Sequence, residues 1–154
     1  TMIRDLRQAL EQVSIATTDD DIADCFECMH TLRPHLERDD FVARVRDMEP
    51  GGFRLAFIRD KGNVVALAGF RPLHTLFAGN TLYVDDLVTS PLARSRGYGR
   101  ILIDWLQNHA TEQGCTMLHL DSGVQRARAH KFYFDSGFHV NCFHFAMLLD
   151  EEGR

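Results

Sequence analysis

The stretch from residue 87 to residue 100, which reads LVTSPLARSRGYGR, concentrates residue types that bind phosphate groups. Two arginines flank Ser95, and Gly97-Tyr98-Gly99 leads directly into a helical pattern. Glycines leave backbone N–H groups accessible, a helix N-terminus carries partial positive charge, and guanidinium groups bind phosphate oxygens with two parallel hydrogen bonds. This combination predicts a pyrophosphate-binding loop after a strand and before a helix.

The spacing in this loop excludes two other phosphate-binding motifs. No Gly-x-x-x-x-Gly-Lys-Ser/Thr sequence is present, and Leu102 stands where a dinucleotide fingerprint requires its third glycine. Two other interpretations stay open for the loop alone: an ordinary strand–loop–helix turn with solvated arginines, and a phosphate site for some other nucleotide. A second motif is needed to choose between them.

Residues 129–138, which read AHKFYFDSGF, supply that motif. Together with Arg94-x-x-Gly97-x-Gly99, they resemble the GNAT family of N-acetyltransferases. Members carry Arg/Gln-x-x-Gly-x-Gly/Ala at the coenzyme loop and Ala-x-x-Phe/Leu-Tyr-x-x-x-Gly-Phe on the last helix. The resemblance covers residues 53–149 well and the N-terminal third only in outline.

The resemblance implies that acetyl-coenzyme A binds where two parallel strands part. Backbone groups of Leu87, Val88 and Thr89 would hold the pantetheine arm and the thioester carbonyl. The pyrophosphate would lie on the loop formed by Arg94, Ser95, Arg96, Gly97, Tyr98, Gly99 and Arg100. Two positions depart from the family pattern, because many members have glycine in place of Ser95 and an asparagine that contacts the pantetheine arm in place of Arg126.

The same resemblance implies that Tyr133 is the general acid that protonates the departing thiolate. An acidic pair precedes the coenzyme strand, and by analogy Asp85 is the water-mediated base and Asp86 contacts a cationic acceptor. Consecutive strand residues point to opposite faces of a sheet, so both carboxylates reach one site only if a bulge intervenes. His119 and Asp121 are the reserve candidates for the base. The alternatives are a tyrosine that only packs and an aspartate that caps or salt-bridges a neighbour.

The function that follows is an acetyl-CoA-dependent N-acetyltransferase, an acyltransferase enzyme in which a primary amine attacks directly in a ternary complex. The acceptor is expected to be a small cationic amine, an amino acid derivative or a peptide amine. The alternative is a non-catalytic coenzyme A-binding regulatory module of the same fold. We expect neither a metal nor a bound prosthetic group. The aromatic segment Phe143-His144-Phe145 could form an acceptor pocket or the face of a homodimer.

Composition places limits on partners and location. The 154 residues predict one domain, residues 1–154, with a possible extra N-terminal helix at residues 2–11. A formal net charge of −5 argues against nucleic acid or an anionic membrane as the main partner. No apolar run has the length of a membrane span, and no signal peptide is recognisable, which predicts a cytoplasmic protein. Cys25 and Cys28 lie in a helical pattern, where small buried hydrophobes are expected rather than a metal or redox site.

The hydrophobic patterns predict an α/β (α+β) fold with a mixed sheet and helices on both faces. The resemblance to the GNAT family implies that this sheet is centrally splayed, and six to seven strands are expected in it. One helix is expected from Thr18 to Leu32, and another after a cap at Ser122. Strands are expected within residues 53–60, 64–70, 81–89 and 116–121, and one or two more between Phe138 and Leu149. A brief strand at Val13 completes the sheet.

Overall fold

The computed structural model describes residues 2–150. Eleven helices and strands follow one another, with short 3-10 turns at Glu49–Gly51 and Pro91–Ala93. In chain order they are α1 (Met2–Leu10), β1 (Val13–Ile15), α2 (Asp19–Asp24), α3 (Phe26–Leu32), α4 (Arg38–Met48), β2 (Arg54–Asp60), β3 (Asn63–Thr75), β4 (Gly79–Thr89), α5 (Tyr98–Glu112), β5 (Leu118–Leu120) and α6 (Ala127–Asp135). The chain divides into two compact units, the first ending at Leu120 and the second beginning at Asp121.

The first unit contains a five-stranded sheet in the order β1-β2-β3-β4-β5. Strands β1 to β4 are successively antiparallel, and β5 pairs parallel to β4 after the α5 crossover. The β2–β3 connection is a two-residue hairpin turn in which Lys61 and Gly62 both have positive φ, 50° and 83°. Turns of this type match the right-handed twist of the strands they join. The mixed sheet predicted from the sequence is therefore confirmed.

Helices cover both faces of this sheet. On one face, Phe57 and Leu67 belong to a buried cluster with side chains of α2, α3 and α4. On the other face, Phe70 packs against Trp105 of α5, with ring centroids 5.7 Å apart. The alternation of side chains along β3 separates the two layers, because Leu67 and Phe70 differ by an odd number of residues.

The single helix predicted from Thr18 to Leu32 is instead two helices, α2 and α3, that meet at Cys25. The predicted N-cap is confirmed, since the Thr18 hydroxyl accepts a hydrogen bond of 3.1 Å from the Asp21 backbone N–H. The predicted cap at Ser122 is wrong. Helix α6 begins at Ala127 with Arg126 as its N-cap residue, because residues 121–126 form a loop first.

The predicted count of six to seven strands is too high, because residues 138–150 contain no strand. This segment has the aromatic and aliphatic composition of a strand, but Val140, Phe143, Phe145 and Met147 are all exposed. A strand requires a partner for its backbone and a surface that buries one of its faces, and composition supplies neither. The sheet has five strands, and the prediction of a single domain stays a prediction. No helix in residues 2–150 combines the length and apolar character needed to cross a membrane.

Candidate active site

Strands β4 and β5 part at the centre of the candidate site. They pair only from Leu82 opposite Leu118 to Val84 opposite Leu120, whereas β4 continues to Thr89. Residues 86–89 of β4 remain paired with β3 on their other side. Within the first unit, the β5-facing edge of residues 85–89 therefore has no strand beside it. Such an edge offers backbone N–H and C=O groups to a ligand, and this confirms the predicted splay.

The three residues predicted to hold the pantetheine arm, Leu87, Val88 and Thr89, lie on this parted section and are half-buried. Their other edge is fixed, since Leu87 lies opposite Ala68 and Thr89 lies opposite Ala66. The following residue is anchored as well, because the Ser90 N–H donates to the Val65 carbonyl over 2.7 Å. The strand is therefore held on one side and open on the other.

The predicted pyrophosphate loop turns through two residues with left-handed backbone. Ser95 has φ 64° and Gly97 has φ 84°. The conformation at Ser95 explains why glycine suits this position, since residues with a Cβ adopt positive φ at a cost. Gly97 is the N-cap of α5 and supplies no side-chain acceptor, so the N–H groups of the first helical turn are left for another acceptor.

The arginines of this loop stand outside the sheet. Arg94 and Arg96 are exposed, and Arg96 forms a long ion pair of 3.4 Å with Asp60. Arg100 pairs one helical turn along with Asp104, over 2.9 Å. Exposed guanidinium groups beside a helix N-terminus suit a phosphate ligand, so the residues present fit a pyrophosphate group.

A β-bulge in β4 brings both aspartates of the acidic pair to one face. Gly69 lies opposite Asp86, but the next residue of β3, Phe70, lies opposite Val84, so Asp85 is the extra residue. A bulge of this kind re-aims side chains. The face is that of α3, because Asp86 bonds to Arg33 at the C-terminus of that helix, and Asp85 bonds to Arg71, whose guanidinium lies over the Phe53 ring of the cluster that packs against α3.

Each aspartate is paired with an arginine. Arg33 donates from Nε to Asp86 Oδ1 over 2.8 Å and from Nη2 to the Asp85 carbonyl over 3.0 Å. Arg71 on β3 holds the Asp85 carboxylate with three contacts of 2.7, 3.0 and 3.1 Å. Burial raises the pKa of Asp86 above its usual range, and the Arg33 guanidinium opposes that rise.

Gly69 makes room for this arrangement. A Cβ at this position would lie 2.5 Å from Asp86 Oδ2 and 2.8 Å from the Phe53 ring. The Arg71 guanidinium lies above the same ring, 5.4 Å from its centroid. A carboxylate and a guanidinium can lie side by side here because of the bulge, the Phe53 ring beneath them and the absence of a Cβ at Gly69.

The two reserve base candidates occupy different surroundings. His119 lies on β5, with Nε2 3.0 Å from the hydroxyl of buried Thr81 and its ring edge-on to Tyr83. Asp121 was predicted at the end of that strand but follows it, because β5 ends at Leu120. In the second unit its carboxylate lies 3.6 Å from His144.

The second unit carries the predicted general acid on α6. Tyr133 is buried and contacts Phe132 and Phe138 edge-on, with centroid distances of 5.6 and 5.7 Å. Burial raises the pKa of its hydroxyl, and the charge of Arg126 opposes the rise. The phenol is therefore protonated at neutral pH, which is the form that can donate a proton.

Sequence reasoning missed Arg33 and Arg71. A charged residue within the apolar run of β3 was a usable signal for Arg71, whereas nothing in the local pattern distinguishes Arg33. Cys25 and Cys28 are buried, as predicted, and desolvation raises their pKa values to about 12 and about 11. Residues 2–150 contain no group of three or more His, Cys, Asp or Glu side chains that could hold a metal ion.

Comparison with known proteins places this site in a family. The model of the acetyltransferase (GNAT) family matches residues 15–138. The chain belongs to this family. Membership in the GNAT family confirms the resemblance, the acyltransferase class and acetyl-CoA as the co-substrate that the motifs predicted.

Individual GNAT relatives span most of the chain. A Bacillus subtilis protein named uncharacterized N-acetyltransferase YhdJ is 30% identical over 131 residues, covering 84% of this chain and 92% of that protein. The aminoalkylphosphonate N-acetyltransferase of Salmonella typhimurium is 28% identical over 113 residues, covering 73% and 71%. A solved aminoglycoside N-acetyltransferase in complex with coenzyme A matches with a TM-score of 0.78 at 16% identity, covering 90% and 95%. The last similarity concerns the fold.

Proposed function

We propose that this protein transfers the acetyl group of acetyl-CoA to a primary amine by direct attack in a ternary complex. The observation that carries the proposal is the parting of β4 from β5 after Val84, followed by a loop whose glycine opens α5. The open strand edge suits the amide-bearing pantetheine arm, and the loop suits the pyrophosphate. Both lie in the first unit and follow each other directly along the chain.

In this proposal, Leu87, Val88 and Thr89 bind the pantetheine arm with backbone groups. A backbone N–H aimed at the thioester oxygen also stabilises the negative charge that develops there during attack. The pyrophosphate binds to residues 94–100, where helix N–H groups and guanidinium groups supply hydrogen bonds and positive charge. These contacts hold the acetyl group next to the β4 bulge at Asp85.

The acceptor reaches the site as an ammonium ion and must lose a proton before it attacks. Asp85 takes that proton through a water molecule, and Asp86 contacts the amine. The amine nitrogen then forms a bond to the carbonyl carbon, and the bond between carbon and sulfur breaks. Tyr133 gives its proton to the departing thiolate and recovers one as the new amide nitrogen loses its extra proton.

Two features bear on the acceptor class. The acidic pair favours an amine, as predicted from the sequence. The Salmonella relative is named for acceptors that carry both an amine and a phosphonate, so amines with an anionic group belong among the candidates. Small cationic amines, amino acid derivatives and peptide amines complete the panel.

The test begins with calorimetric titration of acetyl-CoA, followed by a free-thiol release assay across that panel. We expect binding, and Arg94→Ala should weaken it about tenfold by removing a charged hydrogen bond to phosphate. Arg44→Ala, which removes an exposed arginine from α4, is the matched control and should bind like the wild type.

Absence of binding would refute the coenzyme assignment, since residues 94–100 would then be ordinary surface. Binding without thiol release for any amine would favour the non-catalytic regulatory module. Thiol release with one class of amine establishes the enzyme and its acceptor together.

A further inference from the structure

Four charged side chains meet where β4 bulges, and their charges balance. The carboxylates of Asp85 and Asp86 face the guanidinium groups of Arg71 and Arg33, with closest contacts of 2.7 and 2.8 Å. A site designed for an acceptor with positive charge alone would present unpaired carboxylates. Here each carboxylate already has a cationic partner from another element of the first unit.

The arginines form the accessible part of this group. The side chain of Arg33 is 42% exposed and that of its partner Asp86 is 12% exposed. The side chain of Arg71 is 28% exposed and that of its partner Asp85 is 20% exposed. A molecule arriving from solvent therefore meets guanidinium groups first. The two aspartates lie deeper, beside the strand edge proposed for the thioester.

Each guanidinium has donors to spare. Within residues 2–150, the hydrogen bonds of Arg33 and Arg71 use Nε and Nη2 in both side chains, and none uses Nη1. A guanidinium carries five N–H donors in a fixed planar arrangement that matches carboxylate and phosphate oxygens. Both arginines can therefore keep their aspartates and still donate to a second anion.

We propose that Arg33 and Arg71 bind an anionic group of the acceptor, a carboxylate or a phosphonate, while its amine lies against Asp86. The acceptor is thus an amine that also carries an anion, and its two charges complement the two kinds of side chain at the bulge. This inference rests on the proposed function and narrows its acceptor class. An acceptor with only positive charge would have to displace a guanidinium from a partly buried carboxylate, which costs desolvation and pairing energy.

The deciding experiment compares matched amines. β-Alanine and 2-aminoethylphosphonate carry the anion, n-propylamine lacks it, and putrescine replaces it with a second cation. Thiol release gives kcat/KM for each, and calorimetry in the presence of coenzyme A gives the Kd of each acceptor independently of turnover. We expect at least one anionic amine to have a kcat/KM about tenfold or more higher than that of n-propylamine, and a Kd about tenfold or more lower. This is the effect of one hydrogen bond between charged groups.

Variants connect the preference to the two arginines. Arg33→Gln and Arg71→Gln should lower the preference for the anionic amine about tenfold, measured as the ratio of its kcat/KM to that of n-propylamine, and mainly through the KM of the anionic amine. Arg33→Lys should keep part of the preference because the charge remains. Arg59→Gln is the matched control, since Arg59 is an ion-paired arginine of similar exposure that pairs with Asp24 away from the bulge.

The outcomes separate the two proposals. If thiol release occurs but n-propylamine or putrescine equals the anionic amines, the inference is wrong and the proposed function stands. Equal losses for all amines in the arginine variants would make Arg33 and Arg71 structural and would also refute the inference. If no amine supports thiol release, the proposed function fails, and the binding titrations still decide whether an anionic amine is preferred. A preference for carboxylate over phosphonate, or the reverse, identifies which anion binds.

Discussion

At the level of a single residue, Tyr133 has two properties that suit a proton donor. Its side chain is buried, and burial raises the pKa of the hydroxyl, so the protonated form persists at neutral pH and above. The ring packs edge-on against Phe132 and Phe138, and these contacts do not involve the hydroxyl. Removing the hydroxyl should therefore affect proton transfer rather than packing.

Tyr133→Phe keeps the ring and removes only the proton donor. We expect kcat to fall about 10²- to 10⁴-fold, the usual contribution of general acid catalysis, with the Kd of acetyl-CoA unchanged. Steady-state thiol release and calorimetry measure the two quantities, and thermal unfolding checks that the variant is folded. An unchanged kcat would show that Tyr133 only packs.

Asp86 predicts a pH dependence of stability. Burial raises its pKa in the folded protein, so the folded state holds the proton more tightly than the unfolded chain does. As the pH rises from the ordinary aspartate value through the raised value, the unfolded chain releases its proton first. The free energy of unfolding contributed by Asp86 is therefore higher below that window and falls across it.

Asp86→Asn removes this titration. Relative to the wild type, the variant should gain stability as the pH rises through the acidic range, and the gain should level off once Asp86 is ionised in both states. Urea unfolding at a series of pH values measures the difference. Asp47→Asn, on the exposed surface of α4, is the control for loss of one negative charge. A difference that does not vary with pH would contradict the prediction.

At the scale of elements, the β4 bulge organises the site. It turns two consecutive aspartates to the α3 face, and it occurs where Gly69 allows Asp86 and Phe53 to approach the β3 backbone. The same strand then parts from β5, so one element supplies the acidic pair and the open edge. The geometry of β4 thus depends on a residue in the neighbouring strand.

Gly69→Ala tests this dependence. The new Cβ would lie 2.5 Å from Asp86 Oδ2 and 2.8 Å from the Phe53 ring, so the strand or the ring must shift. We expect a loss of about 1–3 kcal/mol in the free energy of unfolding, typical of overpacking. Chemical denaturation measures it. Gly51→Ala is the control, because a Cβ there meets nothing within 4 Å. Equal stability of the two variants would refute the close approach.

At the scale of the whole molecule, a hydrophobic core of the first unit lies between the sheet and helices α2, α3 and α4. Leu67 is fully buried in this core and belongs to the same cluster of side chains as Phe26 and Phe41. This core positions α3, and with it Arg33, above the acidic pair. Stability and site geometry are therefore linked through the same layer.

Leu67→Ala should cost about 2–5 kcal/mol in the free energy of unfolding, because it removes buried methyl groups and leaves a cavity. Leu76→Ala removes the same atoms from a fully exposed turn and should cost little. Denaturant unfolding of both variants gives the comparison. A small loss at Leu67 would mean that the core readily collapses around the deletion.

The family and most elements of the first unit could be predicted from the sequence alone, and the coenzyme loop is a prediction of the same kind. These depend on local signals: the glycines around Tyr98, the alternation of apolar residues in strands, and the turn at Lys61-Gly62. Each of these signals depends only on residues that are close together in the sequence, so it can be recognised without knowledge of the tertiary structure.

The strand count and the environment of the acidic pair depend on tertiary contacts. The segment from Phe138 to Leu149 has strand composition, yet a strand needs a partner that composition does not specify. The bulge at Asp85 depends on how β3 and β4 align, and the partners Arg33 and Arg71 come from 52 and 14 positions away along the chain. Contacts between distant residues arise from packing, which is why the sequence identified the aspartates but not the arginines that hold them.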